Sequence, residues 1–249
     1  MSHSLAIIIP ACDEAPCLTA MLDELAPWAK KCGAVIAVGL NDCSDSSRAV
    51  LGAYPGVVIG EVAERGYGQG CLAAIRAVRD AGHAPAAWLF MSADGANDPA
   101  QLASLIEHWR NGADLVLGQR TLQRENLATL GALRVVSNIV LGAWATILSG
   151  RLYADLGPFR LVSERLLSTW LRAPGNLRWG WTIEPQILAP LLGLRVCCVP
   201  VSERPRIAGE QKVNGVSLRH SLRIGAEIIS AGWRAREKVP AISGARLSC

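Results

Sequence analysis

The sequence predicts an α/β fold: one domain built on a mostly parallel central sheet with helices on both faces. Three observations predict it. Short apolar runs alternate with helical stretches through the first half of the chain. Three of those runs end in acid-rich loops, as strands do when their carboxyl ends face a ligand. And 249 residues at 51% apolar and 18% charged supply a large core, which excludes a disordered chain, while no Gly-X-Y period points to collagen.

The elements follow in order. Residues 5–9 form a continuous apolar run closed by Pro10, the pattern of a buried parallel strand. Residues 15–31 carry Leu18, Met21, Leu22 and Leu25 at helical spacing. Strands are expected at 34–38, 57–59, 87–91 and 114–117, with a helix over 68–80. A further helix over 99–109 opens on Asp98 as N-cap and Pro99 at the first helical position. In the second half, 134–150 reads as a long apolar helix, 153–162 as mixed, 182–192 as a helix ending at Gly193 and 194–201 as a strand. Residues 216–237 form an amphipathic helix carrying Arg219, Arg223, Arg234 and Arg236. The whole chain, 1–249, is expected to be one domain: a ligand-binding half over about 1–120, a second half over about 121–215, and a basic helix and tail over 216–249.

The charge is uneven. Nine of the 25 basic and four of the 21 acidic side chains fall within 201–249. The positive excess is therefore a C-terminal property; it points to an anionic partner or to a solvated basic helix. The eight cysteines show no C-x-x-C pair, and histidine is too sparse for a zinc cluster. The opening residues lack a positive n-region, so a cytoplasmic chain with reduced thiols is expected. The uncharged stretch 135–150 is shorter than the roughly 18–20 residues of a membrane span. A core helix, or one lying against a lipid, fits it better. Nucleic-acid binding is discounted, because no aromatic platform accompanies the basic residues.

The strand ends hold the candidate chemistry. Asp94 follows a buried strand and precedes Gly95; such a carboxylate suits a divalent cation shared with phosphates. Asp42 suits hydrogen bonds from a ribose or a base. The alternative is that these acids cap the following helices, which is the preferred reading for Ser44, Asp45 and Asp98. Residues 65–70, RGYGQG, form either a loop near a nucleotide or a plain turn. Arg204, Arg206 and Lys212 surround Gly209, as in a loop that folds over a diphosphate or an ordinary solvated connection. Glu184 follows Trp179 and Trp181. Desolvation by the indoles would suit a general base; capping with core packing is the equal alternative.

Taken together, these motifs resemble the family 2 glycosyltransferases, in particular the dolichyl-phosphate mannose synthase-like (polyprenyl-phosphate sugar synthase) branch. The resemblance rests on IIIPACDE at 7–14, NDCSD at 41–45, RGYGQGC at 65–71, SADG at 92–95, DLGPFR at 155–160, WTIE at 181–184 and RIAGEQK at 206–212, and it spans roughly residues 5 to 230. It implies a nucleotide-binding GT-A-like fold and an inverting transfer from a UDP- or GDP-linked sugar to polyprenyl phosphate. Carried over by position, Pro10, Asp13, Asp42 and Ser92 would line the donor, and Asp94 would hold Mg²⁺ or Mn²⁺. Arg206 and Lys212 would close over the diphosphate. Arg120, Arg134 and Ser137 would face the acceptor phosphate. Peripheral contact of the basic C-terminal helix with an anionic membrane surface belongs to the same expectation.

The sequence departs from that pattern at four places. Ser92 stands where the family carries the first Asp of its metal motif, and Ala96 where relatives carry a polar side chain. Cys12 and Cys43 replace the usual Tyr and Gly. Two alternatives stay open: transfer to a hydroxyl with Glu184 as base, and a nucleotide-sugar-binding pseudoenzyme.

Overall fold

The computed structural model describes residues 4–120, 126, 130, 132–208 and 218–244, with the side chains of 132–134, 218–221 and 243–244 left undescribed. Lys212 lies outside the described residues. Seven strands form one sheet: β1 (Leu5–Ala11), β2 (Ala34–Asn41), β3 (Val57–Val62), β4 (Ala87–Phe90), β5 (Leu115–Gln119), β6 (Arg160–Ser163) and β7 (Val196–Pro200), in the order β3-β2-β1-β4-β6-β5-β7. β6 runs antiparallel to both its neighbours, and the remaining pairings are parallel. The chain moves outward from β1 to β3 and then returns to place β4 on the other side of β1. That reversal makes the gap between β1 and β4 the switch point, where α/β sheets bind ligands.

The period of two along each strand divides the core between the two faces. Ala6 and Ile8 of β1 join the apolar cluster on one face, and Leu5, Ile7 and Ile9 join that on the other. Helix α1 (Ala15–Cys32) buries Leu18, Met21, Leu22 and Leu25 on the second face, as their spacing predicts, and ends at Gly33 in the left-handed region. The short α2 (Ser47–Leu51) follows β2. Helix α3 (Tyr67–Asp80) covers the first face at close range: a Cβ on Gly39 would meet the Gly70 carbonyl at 1.9 Å, and one on Gly60 the Ala73 carbonyl at 2.2 Å. These glycines let a helix lie almost on the backbone of β2 and β3. Helix α4 (Leu102–Arg110) follows a 3₁₀ turn capped by Asp98, whose side chain accepts from the Ala100 N–H at 2.9 Å.

The end of the mixed segment 153–162 forms most of β6, which sequence periodicity did not isolate. The remaining helices are α5 (Ala132–Ser149), α6 (Glu164–Leu171), α7 (Glu184–Leu191) and α8 (Leu218–Gly244). α7 is preceded by a 3₁₀ turn at Trp179–Thr182, so the expected helix over 182–192 is shorter than its pattern. No helix among the described residues is long and apolar enough to cross a membrane.

One buried ion cluster joins the two halves of the chain. Arg120, just past β5, is 5% exposed. It donates Nε to Asp155 Oδ2 and Nη2 to Asp155 Oδ1, both at 2.7 Å, and Nη1 to Glu203 Oε1 at 3.3 Å. Asn126 adds a backbone clamp, donating to the carbonyls of Arg120 and Val201 and accepting from the Glu203 N–H. Burial alone would raise the Asp155 carboxyl, but the Arg120 charge and its hydrogen bonds hold it below the usual carboxylate range.

Removing one partner of such a pair leaves a buried charge under-compensated. Asp155→Asn is expected to cost on the order of 3–5 kcal/mol in urea unfolding. The sign with pH follows from a lowered folded pKa. The stabilisation is complete above about pH 4, the range of an unfolded Asp, and is lost as pH falls through the lower folded value. The wild type should lose stability in acid more steeply than Asp155→Asn; parallel slopes would remove Asp155 as a source of acid sensitivity.

Candidate active site at the carboxyl edge of the sheet

The β1 and β2 loops are locked to each other. Asp13 Oδ1 accepts from the Ser44 N–H at 2.6 Å, the Asp45 N–H at 3.1 Å and the Ser44 hydroxyl at 3.2 Å. Asp45 returns the contact, accepting from the Ala15 N–H at 2.9 Å through Oδ2 and from the Ser47 N–H through Oδ1. The Ser44 N–H bond, more than any other cause, lowers the Asp13 pKa. Asp13 and Asp42 both hold positive φ, 54° and 51°, which a non-glycine residue adopts at a cost. Asp42 points outward, with Arg65 Nη1 at 4.0 Å from its carboxylate. Beneath them, buried Asn41 donates to the Ala11 carbonyl and accepts from the Gly66 N–H, so β1, β2 and the start of α3 meet on one amide. Pro10 sits below α3, in close contact with Gly70.

Across the switch point, Asp94 accepts from the Ala96 N–H at 3.1 Å through Oδ1 and faces Arg206 Nη1 with Oδ2 at 3.5 Å. The second amino group of Arg206 pairs with Glu14, at the end of the β1 loop. Arg206 Nε also donates to the Ala208 carbonyl at 2.6 Å, and that carbonyl accepts from the Cys17 thiol. Ile207 packs on Gly95 and donates its N–H to the Asp94 carbonyl at 3.0 Å. Arg204 anchors the base of this segment through a two-point pair with Glu24 at 2.7 and 2.9 Å. Ser92 is half-buried beside Asp94, its N–H bonded to Asn97. Residues 204–208 thus lie over the Asp94 loop.

Among the described residues, two groups offer oxygen ligands to a hard cation. Asp94 with Glu14 already receives a positive group, the Arg206 guanidinium, in the gap between β1 and β4. A carboxylate edge that accepts a guanidinium there fits a divalent cation, which needs only one or two carboxylates beside substrate phosphates. Asp13, Cys43 and Asp45 bring three ligand atoms within 4.8 Å of one another. The carboxylates of that second group accept the loop N–H groups above, and the Asp94 oxygens are likewise engaged, by the Ala96 N–H and by Arg206.

The other expected residues divide. Arg120 does not face an open acceptor site, because its fork is turned onto Asp155 and Glu203. Glu184 is not an open base beside Trp179 and Trp181. It is 3% exposed, and its carboxylate accepts from Trp170 Nε1 at 2.7 Å, the Asn176 N–H at 2.7 Å and the Gly175 N–H at 3.3 Å. Trp181 packs on Trp170, while Trp179 stacks on Tyr67. Glu184 therefore fixes the 173–178 turn, whose Leu177 and Arg178 carbonyls cap the first N–H groups of α3. Ser137 is half-buried on α5, and Arg134 is described only as a helical residue of that element. Glu14 and Asn41 are site residues that the sequence reasoning did not single out. Glu14 lay inside a quoted motif, and Asn41 directly precedes Asp42.

Comparison with known proteins matches this architecture. Glucosyl-3-phosphoglycerate synthase from Mycobacterium tuberculosis, in complex with Mn²⁺, uridine-diphosphate and phosphoglyceric acid, superposes with a TM-score of 0.70 at 16% identity, covering 94% of this chain and 78% of that one. The same enzyme with Mn²⁺, uridine-diphosphate and glucosyl-3-phosphoglycerate gives 0.69 at 15% identity, covering 94% and 80%. With Mn²⁺, uridine-diphosphate-glucose and phosphoglyceric acid it gives 0.68 at 14%, with the same coverage. At such identities the likeness concerns the fold. No curated protein matches the chain by sequence. The family model described as glycosyl transferase family 2 matches residues 6–139, more than half of the chain, and covers the β1, β2 and β4 loops described above. The protein belongs to glycosyl transferase family 2 and is a glycosyltransferase with a single GT-A-like α/β domain.

Proposed function

We propose that the enzyme transfers a sugar, with inversion, from a UDP-linked donor to polyprenyl phosphate, using Asp94 to hold Mg²⁺ or Mn²⁺. The observation that carries the donor half is Arg206 bridging Asp94 and Glu14 at the switch point. A cation so placed meets two carboxylates, and its neighbours are groups that a diphosphate held with a divalent metal would meet. Bound there, the metal would stabilise charge growing on the leaving diphosphate. Asp94 would hold that cation, and Arg206, with Lys212 as the resemblance implies, would pair with the phosphate oxygens. The locked loops of Asp13 and Asp42, with Pro10 and Ser92, line the nucleotide. The uridine-diphosphate complexes of the similar synthase favour UDP over GDP.

The acceptor half is supported by Glu184. Its carboxylate is committed to three N–H donors, which leaves it poorly placed to take a proton from a hydroxyl. A phosphate acceptor is already ionised and needs only cations, for which Arg134, with Ser137 nearby, is the candidate. A second reading is transfer to the hydroxyl of a small phosphorylated acid; it is favoured by the phosphoglyceric acid held by the similar synthase. Parallel transfer assays with UDP- and GDP-sugars, against polyprenyl phosphate and 3-phosphoglycerate, test both. Turnover only on 3-phosphoglycerate would replace the lipid acceptor, and no turnover or donor binding with any nucleotide sugar would overturn the transfer itself.

Two variants sharpen the reading. Asp94→Ala should remove the metal dependence of UDP-sugar binding in calorimetry. Arg206→Ala should lower kcat/KM by about 2 kcal/mol or more, some 30-fold. Undiminished metal-assisted binding in Asp94→Ala would move the cation elsewhere. Glu184→Gln should act on folding instead, costing about 1–3 kcal/mol because the amide presents a donor to N–H groups. The pH profile of kcat should stay unchanged. A profile that loses its acid limb in Glu184→Gln would make this residue the base after all.

A further inference from the structure

Helix α5 presents one uninterrupted apolar stripe to solvent. Its exposed positions are Val136, Ile139, Val140, Ala143 and Ile147, spaced as one helix face, and Ile147 is 68% exposed. Helix α8 lies beside it and carries a second stripe of exposed Leu222, Ala226, Ile229 and Trp233. The two join through a stacked pair, Trp144 and Trp233, with ring centroids 6.4 Å apart, and through the Trp144 indole N–H donated to the Ile229 carbonyl. Arg236 closes the end of α5 by donating to the Leu148 carbonyl at 2.6 Å. Large exposed apolar faces of this kind mark an interaction site.

Charge decides the occupant. On α8 the exposed Arg223 and Arg234 share one flank of the stripe with Glu227 and Glu237, Arg236 and Lys238 bring the described side chains of the helix to four cations against two acids, and α5 carries no acidic residue. The acids on the described part of α8 are Glu227 and Glu237. Each already accepts an N–H, from the Trp179 backbone and the Trp233 indole respectively. A second copy docking on this face would bury these cations with few acids to meet them. An anionic lipid surface complements it: aliphatic stripes for the acyl boundary, tryptophans at headgroup level and arginines for the lipid phosphates.

We propose that α5 and α8 together form an interfacial docking face for an anionic bilayer. The inference rests on this surface and not on the identity of the acceptor. The test is co-sedimentation of the full chain with vesicles of phosphatidylcholine alone or with one third phosphatidylglycerol, at low and high salt. Binding is expected only to the anionic vesicles and should be released by salt. Ile139→Glu/Ile147→Glu and Arg223→Glu/Arg234→Glu should each weaken it at least about tenfold. Circular dichroism and UDP binding on the same samples show that fold and donor site persist, so failure here is distinct from failure of the transfer reading. Equal partition to both vesicles, or to neither, overturns the proposal. So does a concentration-dependent dimer in sedimentation velocity that Ile139→Glu/Ile147→Glu dissolves while vesicle binding is absent.

Discussion

The second half of the fold is organised around one buried guanidinium. Taking Arg120 out of water is costly, and the cost is offset only if carboxylates meet it in good geometry. Asp155 does so at two points, and Glu203 adds a third. These partners come from chain segments 35 and 83 residues away, so satisfying one charge fixes where three segments must pass. The return from α5 into β6 and the exit from β7 into the 201–208 segment are both set by it. That exit carries Arg204 to Glu24 and Arg206 to Asp94, which places a cation over the switch point.

The contrast between the two arginines separates framework from chemistry. Arg120 is held at 2.7 Å by a carboxylate with no solvent exposure. Arg206 stands 3.5 Å from Asp94, and both of those side chains keep some contact with water. Water and incoming anions can compete for the second pair and not for the first, because interaction strength falls as the surrounding dielectric rises. A cation meant to exchange partners must be only partly desolvated. Arg206 meets that condition.

Much of this was legible in the sequence, and the reason is the sheet. Strands buried on both faces need continuous apolar runs, so β1, β2 and β4 were visible, and the acid-rich loops after them had to share an edge. β6 was not separable, because it is four residues long and opens on buried Arg160, whose guanidinium donates to the backbone carbonyls of Leu156, Gly157 and Thr182. The roles of Arg120 and Glu184 were equally hidden. A sequence displays a charge but not the partner that consumes it, and Glu184 sits at the same motif position whether its oxygens face a substrate or the Trp170 indole. Glu14 became a site residue only when Arg206, 192 positions away, folded back onto it.

The positive φ of Asp13 and Asp42 follows from the same economy of loops. Each residue forgoes the common backbone regions, a cost of order 1–3 kcal/mol that persists only where surrounding bonds over-determine the conformation. For Asp13 those bonds are visible: two backbone N–H groups and a hydroxyl converge on one carboxylate oxygen, and Asp45 answers from the other loop. At Asp42 the backbone N–H is tied to Val62 on β3 while the carboxylate faces outward. The strain therefore lies in a region already rigid. A ligand arriving at Asp42 would meet a backbone already held and would not have to order the loop as it binds, so more of its contact energy would remain as affinity. The interlocked loops lie at the ends of β1 and β2, two adjacent interior strands paired along their whole length.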